Sequence, residues 1–173
     1  MQQDFINSFK ENAGFRIDEN TRMLCIALSK INEKQFWEKP NAISNSLGNQ
    51  LLHLNGNLTQ YMISALDEQA DTRQRDFEFS AQNGKDKTIL LNNLMDTLGK
   101  AKEVLQNCSV EQLIKKYHVQ GFELSGIGIV LHAVEHYSYH VGQIAFWTKQ
   151  LTSEPLGFYD GIDLTVKNTQ KRC

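Results

Sequence analysis

"HAVEHYSYHVGQIAFW", residues 132–147, combines three evenly spaced histidines with a single charged residue, Glu135. The stretch contains no proline, and the whole chain has only two, Pro40 and Pro155, so long uninterrupted helices are possible. Its apolar residues recur at helical spacing. The segment therefore predicts the centre of a long helix over about 125–151.

Three further helices are predicted from apolar residues at the same spacing, over about 4–31, 46–66 and 87–105. Segment 117–124 alternates and is broken by glycine, which favours an extended stretch. Four long helices with little strand signal predict an all-α fold, a four-helix bundle.

Charges are missing from two of these helices. There is none between Lys39 and Asp67, and only Glu135 lies between Glu123 and Lys149. A surface helix normally carries a charged face. We therefore expect the second and fourth helices to pack inside, against each other or against a second copy of the protein.

Length and composition bound the possibilities. The 173 residues suit one domain, 1–173, with 160–173 as a loosely packed tail. A net charge of −2 without a basic patch argues against nucleic acid and membrane-surface partners, and no apolar run is long enough for a membrane span. The sequence starts without a signal-peptide pattern, and three widely spaced cysteines indicate reduced thiols. Together these predict a cytoplasmic protein.

The three histidines, His132, His136 and His140, form one inclined row on their helix. Two that are four residues apart can bind one metal ion from the same face, as in zinc proteases. The outer pair is about 12 Å apart in helical rise, too far to share an ion. A third ligand must come from another helix, and spacing alone leaves open whether His132 or His136 pairs with His140.

His53 is the candidate for that third ligand, because it lies midway along the second charge-free helix. Its face carries amides and glycine instead of charges: Asn49, Gln50, Gly56, Asn57 and Gln60. Such a stripe is typical of the wall of a partly buried polar pocket. Neutral imidazoles suit zinc, nickel, copper or iron. The alternative is that these histidines are only hydrogen-bonded inside the bundle.

Several motifs resemble the DinB/YfiT-like metalloprotein superfamily. "HYSYHVGQI" (136–144) resembles its fourth-helix signature, and "NSLGNQLLHLNGNL" (45–58) resembles the second-helix segment of one uncharacterised branch. "FWEKP" (36–40), "RQRDFEF" (73–79) and "LGFY" (156–159) resemble that branch as well. The similarity spans about residues 19–159.

The resemblance implies an up-down-down-up four-helix bundle with long crossover loops. It also implies a divalent metal ion, most often zinc or nickel, held by His53, His136 and His140. Homodimers are frequent in the superfamily.

The resemblance leaves four other polar residues without an assigned ligand role. His132 would be a packed polar residue or a support for the ligands, with the former preferred. Gln143 would orient a ligand or be a buried amide, and Asn49 and Asn57 would support the ligands or line the pocket.

Three functions are compatible with these expectations. The first is a metal-dependent enzyme that uses its ion for hydrolysis, or for transfer with a low-molecular-weight cellular thiol as cosubstrate, on a small-molecule substrate. No acidic residue falls on either ligand row to act as a general base, which favours thiol chemistry. The second is a non-enzymatic, stress-related bundle with a structural or sensed metal, in which His132 or Asn57 closes the coordination sphere. The third is an interaction protein whose charge-free helices form a dimer interface.

A charged cluster, Arg73, Arg75, Asp76 and Glu78, lies between the second and third helices. It could clamp an anionic substrate. The preferred interpretation is that its ion pairs tie a crossover loop to the bundle.

Overall fold

The computed structural model describes residues 2–83 and 85–168. Its elements in chain order are α1 Gln2–Ser29, α2 Glu33–Trp37, α3 Leu47–Leu58, α4 Arg75–Ser80, α5 Lys87–Asn107, α6 Val110–Ile114, β1 Lys116–Val119, β2 Phe122–Ser125 and α7 Gly126–Thr152. A π-helix, Thr59–Leu66, continues α3 directly. The long helices α1, α3, α5 and α7 form the bundle, so the predicted four-helix fold is confirmed.

Contacts between the long helices give their directions. Lys102 of α5 pairs with Asp18 of α1 at 2.6 Å, while Lys87 at the start of α5 reaches the carbonyl oxygen of Leu28 at 3.2 Å. Residue numbers thus rise along one helix as they fall along the other, and α1 and α5 are antiparallel.

The same argument orders α3 and α7. Gln50 contacts His140 and Asn57 contacts His132, so these two helices are antiparallel. Thr21 contacts Tyr137, and Lys30 contacts Glu154 just beyond α7, so α1 and α7 run in the same direction. The resulting order is up-down-down-up, as the resemblance implied.

The connections contain more structure than the sequence predicted. The segment after the first helix forms α2, which a capping box between Asn32 and Gln35 begins. The crossover between α3 and α5, expected to be an irregular loop, contains α4. The expected extended segment is the hairpin β1–β2, whose turn places Gln120 and Gly121 at φ 50° and 80°.

The core lies between the long helices, with Leu51, Leu54 and Leu58 of α3 fully buried. As predicted, α3 packs against α7. α7 also packs against α1, but one strip of its surface is open, because Leu131, Tyr139 and Phe146 are each more than half exposed. The fourth helix is thus less enclosed than its lack of charge suggested.

Within the described ranges, no helix is both long enough and apolar enough to cross a membrane. Beyond α7, Leu156 packs into the core and the Phe158 carbonyl oxygen accepts a hydrogen bond from Arg22. Most residues of 159–168 are exposed, including Leu164, and the end of the predicted tail, 169–173, lies outside the described residues.

Candidate metal centre

Three histidines meet where α3 and α7 face each other: His53, His136 and His140. One ligand atom from each lies within 4.8 Å of the others. The Nε2 atoms of His53 and His136 are 3.1 Å apart. His53 and His140 are buried and His136 is partly buried. The arrangement could therefore hold one metal ion.

Local structure fixes these positions. Ser46 caps the start of α3 through a capping box with Asn49, which fixes where this helix begins. The buried stripe of Leu51, Leu54 and Leu58 then turns the face of His53 toward the bundle interior. On α7, His136 and His140 lie one turn apart with ring centroids 4.5 Å from each other. The packing of α3 against α7 and the one-turn spacing of His136 and His140 thus bring the three rings together.

A carboxylate from the crossover segment contacts the first of these rings. Glu78 of α4 is 4 % exposed, and its Oε2 lies 2.8 Å from His53 Nδ1. An ionised carboxylate only accepts hydrogen bonds, so this short contact requires the proton on Nδ1 and leaves the Nε2 lone pair toward His136. Arg73 Nη2 lies 3.2 Å from the same Nδ1, but its shorter contact, at 2.8 Å, is the one that it donates to Glu78 Oε2. This carboxylate–histidine pair is a common support for metal ligands.

Arg73 compensates the buried charge of Glu78. Its Nε donates to Oε1 at 2.7 Å and its Nη2 to Oε2 at 2.8 Å, and the Arg73 side chain is 3 % exposed. Its Nη1 also donates to Gln60 Oε1 at 2.8 Å. Burial raises the pKa of Glu78, but the hydrogen bonds and charges of Arg73 and His53 outweigh it and hold that pKa below its usual value.

Gly56 makes room for this ion pair. A Cβ atom at position 56 would lie 2.0 Å from Glu78 Oε1 and 3.1 Å from Arg73 Nε. Any side chain there would displace the carboxylate. The glycine on the same helix face as His53 is thus part of the site.

Sequence reasoning missed the role of Glu78. The only acidic residues considered as supports or bases were those on the ligand helices α3 and α7, whereas Glu78 lies on α4, in the crossover between α3 and α5. The preferred interpretation of the charged cluster accounts for the Arg73–Glu78 ion pair but not for its contact with His53. Arg75 takes no part in this pair and lies over the Phe79 ring at 4.8 Å. The available signal was Gly56, since a glycine within a helix often marks a close approach.

The imidazoles of His136 and His140 are electrically neutral at physiological pH. Burial, reinforced by the neighbouring histidines, lowers the pKa of His136 to about 3. Burial and the proximity of the His53 ring lower the pKa of His140 to about 4. Neutral rings keep the lone pairs that a metal ion requires.

The donor set fits a divalent transition metal. At metal–nitrogen distances of 2.0–2.1 Å, tetrahedral ligands are about 3.3 Å apart, close to the separation of the two Nε2 atoms. Three imidazole nitrogens suit zinc, nickel, copper or iron and do not suit magnesium or calcium. His136 Nδ1 is buried without a hydrogen-bond partner in the described part of the chain, so no contact there competes for its ring orientation.

Two amides contact His140. Gln50 Oε1 lies 3.3 Å from His140 Nδ1, so that Nδ1–H can donate to it and leave Nε2 free. Gln143, predicted to orient a ligand or to be buried, is partly buried and lies close enough to His140 to favour its protonated form.

His132 lies outside the three-histidine group. Its Nε2 is 3.3 Å from Asn57 Nδ2, and its ring stacks on Tyr61 with centroids 4.0 Å apart. Asn49, expected to line the pocket or to support the ligands, donates to the carbonyl oxygens of Glu78 and Ala81 at 3.0 and 2.7 Å. Asn49 therefore fastens α4 onto α3, because both hydrogen bonds of its amide nitrogen go to backbone carbonyl oxygens of that segment.

Solved structures show the same fold. YjoA, a DinB-like protein from Bacillus subtilis, is 17 % identical with a TM-score of 0.63, over 81 % of this chain and 91 % of its own. YfiT from Bacillus subtilis, described as a probable metal-dependent hydrolase with an unusual four-helix bundle topology, is 14 % identical with a TM-score of 0.65, over 82 % of this chain and 87 % of its own. At these identities the similarity establishes the fold alone.

The search of curated proteins gives no match to this sequence. A family profile described as a protein of unknown function, DUF1572, matches residues 3–158, which is most of the chain. The chain therefore belongs to the DUF1572 family and has the fold of the DinB-like and YfiT proteins.

Proposed function

We propose that this protein is a metal-dependent enzyme in which His53, His136 and His140 hold one divalent ion, zinc or nickel. The observation that carries the proposal is the convergence of these three rings, with the Nε2 atoms of His53 and His136 3.1 Å apart. Two neutral imidazole lone pairs at that distance require a cation between them or a proton on one of them. The description of YfiT as a probable metal-dependent hydrolase supports the same conclusion.

An ion with three protein ligands and an open position lowers the pKa of a water or thiol bound to it. The chain's own residues prepare that site. Glu78 orients His53 and strengthens it as a donor, Gln50 and Gln143 orient His140, and Arg73 keeps Glu78 ionised.

The structure of the surroundings favours an enzyme over a closed structural site. The two groups that could complete the coordination sphere, His132 and Asn57, contact each other at 3.3 Å and stay outside the ligand group. An open position for a substrate is therefore compatible with all described neighbours. A structural or sensed metal is the alternative function.

Thiol-dependent transfer is preferred over hydrolysis. Both oxygens of Glu78 are engaged by Arg73 and His53, and its lowered pKa makes it a weak base. Neither oxygen atom of Glu78 is therefore free to accept a proton from water. A low-molecular-weight cellular thiol needs less help, because its pKa is lower than that of water.

Metal analysis of protein purified without chelator or affinity tag tests the proposal. We expect about one ion per chain in the wild type and in His132→Ala, and little in His136→Ala. Metal-free wild type, or retention of the ion by His136→Ala, would refute the assigned ligands. Two activity assays then separate transfer from hydrolysis: conjugation of small electrophiles with a panel of thiols, and hydrolysis of esters and amides. If the protein turns over neither kind of substrate, a structural metal is favoured.

The expected homodimer stays a prediction, which light scattering would test.

A further inference from the structure

A cavity of about 790 Å³ opens beside His140. One wall is the segment between α2 and α3, including Asn41 and Ile43, and the other is the second half of α7. Its volume is that of a small-molecule binding site.

The cavity is joined to the proposed metal site through His140. Two of its lining residues contact that ring, Gln50 at 3.3 Å and Tyr139 with ring centroids 5.1 Å apart, and Gln143 lies close enough to influence its pKa. A molecule in the cavity would therefore lie against side chains that touch a ligand of the ion.

The described residues that line the cavity carry no charged side chain. None of the twelve residues that line the cavity is Asp, Glu, Lys, Arg or His. Five are carboxamides, namely Asn41, Asn45, Gln50, Gln143 and Gln150. Three are aromatic, namely Tyr139, Phe146 and Trp147. Amides offer donors and acceptors, and rings offer flat apolar surface.

We infer that this cavity binds the uncharged, ring-bearing part of the substrate, a molecule that also carries neutral donors and acceptors such as an amide. An ionised group moved from water into this lining would meet no opposite charge, which opposes its binding. The inference rests on the proposed metal enzyme and specifies its substrate class. It assigns the cavity to the neutral reactant and not to a thiol that carries several carboxylates.

Three probes of one shape test the selectivity: benzamide, benzoate and benzamidinium, which are neutral, anionic and cationic. Binding to the zinc-loaded full chain is measured by saturation-transfer NMR. We expect benzamide to bind about tenfold more tightly than either ion. Because a carboxylate can also bind zinc directly, the titrations are repeated on chelator-treated, metal-free protein, where the same order is expected.

Two glycine variants locate the binding. A Cβ atom at Gly142, which lines the cavity, or at Gly99 of α5 would meet nothing within 4 Å, so both positions accept a side chain. Gly142→Leu should abolish benzamide binding and leave metal content unchanged, whereas Gly99→Leu should change neither. Phe146→Ala, at an exposed ring of the same cavity, should weaken benzamide binding.

Cobalt-loaded protein tests the proximity to the ion. The proton relaxation of benzamide should be enhanced by paramagnetic cobalt relative to zinc. Equal binding of the three probes, benzamide binding that survives Gly142→Leu, or unenhanced relaxation would overturn the inference while leaving the metal site intact. A dimer that Gly142→Leu converts to monomer would also overturn it, since a second copy would then cover the cavity. Absence of bound metal would instead refute the proposed function, and is measured first.

Discussion

At the scale of single residues, Gly56 and Glu78 depend on each other. The carboxylate reaches His53 only because position 56 has no side chain, and Arg73 makes its buried charge tolerable. A polar network of this kind is sensitive to small displacements, because each member satisfies the others.

Gly56→Ala should weaken metal binding. The added Cβ atom would lie 2.0 Å from Glu78 Oε1, so the carboxylate must leave His53. Loss of such a support lowers metal affinity by about 10–100-fold. Competition titration with a chromogenic chelator measures the affinity.

Gly99→Ala is the matched control. It adds the same atom to an exposed helix position with nothing within 4 Å. It should leave metal affinity unchanged and stabilise α5 by up to about 1 kcal/mol. Equal affinities of the two variants would show that Glu78 does not support His53.

The Arg73–Glu78 pair should show strong coupling in a double-mutant cycle. Arg73→Met or Glu78→Gln alone leaves one buried charge unpaired, which costs roughly 3–5 kcal/mol of the free energy of unfolding. The double variant leaves none, so its loss should be clearly smaller than the sum. Urea denaturation of metal-free protein measures all four forms, and additive losses would contradict the buried pairing.

The sequence allowed contacts within one helix to be predicted, but not contacts between distant segments. Helical periodicity relates residues within one helix, so the row of His132, His136 and His140 could be derived from spacing. It cannot relate Glu78 to His53, because that contact depends on how a crossover segment folds back onto α3. The ligand set itself came from the family resemblance.

At the scale of helices, α1 and α7 are joined by a buried hydrogen bond. Tyr137 is fully buried, and its hydroxyl lies 3.0 Å from Thr21 Oγ1. Thr21 donates its own proton to the Ile17 carbonyl oxygen at 2.8 Å. Tyr137 must therefore be the donor, and it needs its phenolic proton to keep this contact.

Tyr137→Phe should change how stability depends on alkaline pH. Burial raises the pKa of Tyr137 above its usual value, so the folded state holds this proton more strongly than the unfolded chain. The stabilisation is complete below about pH 10, the pKa of an unfolded tyrosine, and is lost as pH rises above it. Near pH 7 the variant should be about 1 kcal/mol less stable, because the hydrogen bond is lost.

The difference between wild type and Tyr137→Phe should then shrink as the pH passes 10. Denaturant titrations at pH 7, 9, 10 and 11 measure it, and other tyrosines contribute equally to both proteins. A constant difference across this range would show that Tyr137 ionises as readily in the folded state as in the unfolded chain.

Helix existence was predictable, but helix type was not. The predicted second helix, 46–66, is α-helical to Leu58 and π-helical over Thr59–Leu66. The wider turns change which residues face α7, and Tyr61 within them stacks on His132. Apolar spacing does not distinguish the two helix types at this length, because buried leucines and methionines satisfy either.

At the scale of the whole molecule, metal binding should stabilise the fold. The three ligands join α3 to α7, so the unfolded chain lacks the assembled site. An ion at about 100 times its dissociation constant then adds about 2.7 kcal/mol to the free energy of unfolding. Thermal unfolding with added zinc and with chelator measures the shift.

Two histidine variants serve as comparison. His136→Ala should show no zinc-dependent shift, whereas His132→Ala should keep the shift even if the loss of its Asn57 contact lowers its stability in both conditions. A zinc-dependent shift of equal size in both variants would mean that the ion binds elsewhere.

Topology could not be derived from periodicity. Four amphipathic patterns allow several orders of helix direction, and contacts such as Lys102–Asp18 become visible only in the folded chain. The up-down-down-up order was implied by resemblance and is confirmed by the structure. It explains the long crossover between α3 and α5, since these are consecutive long helices that run in the same direction.

The spread of the ligands along the chain has a consequence for biosynthesis. His53 and its supporting Glu78 are translated early, while His136 and His140 follow only in the last long helix. A nascent chain that has not reached position 140 lacks two of the three proposed donors. If the ion binds as proposed, its incorporation would report that translation has passed residue 140 and that α7 has docked on α3.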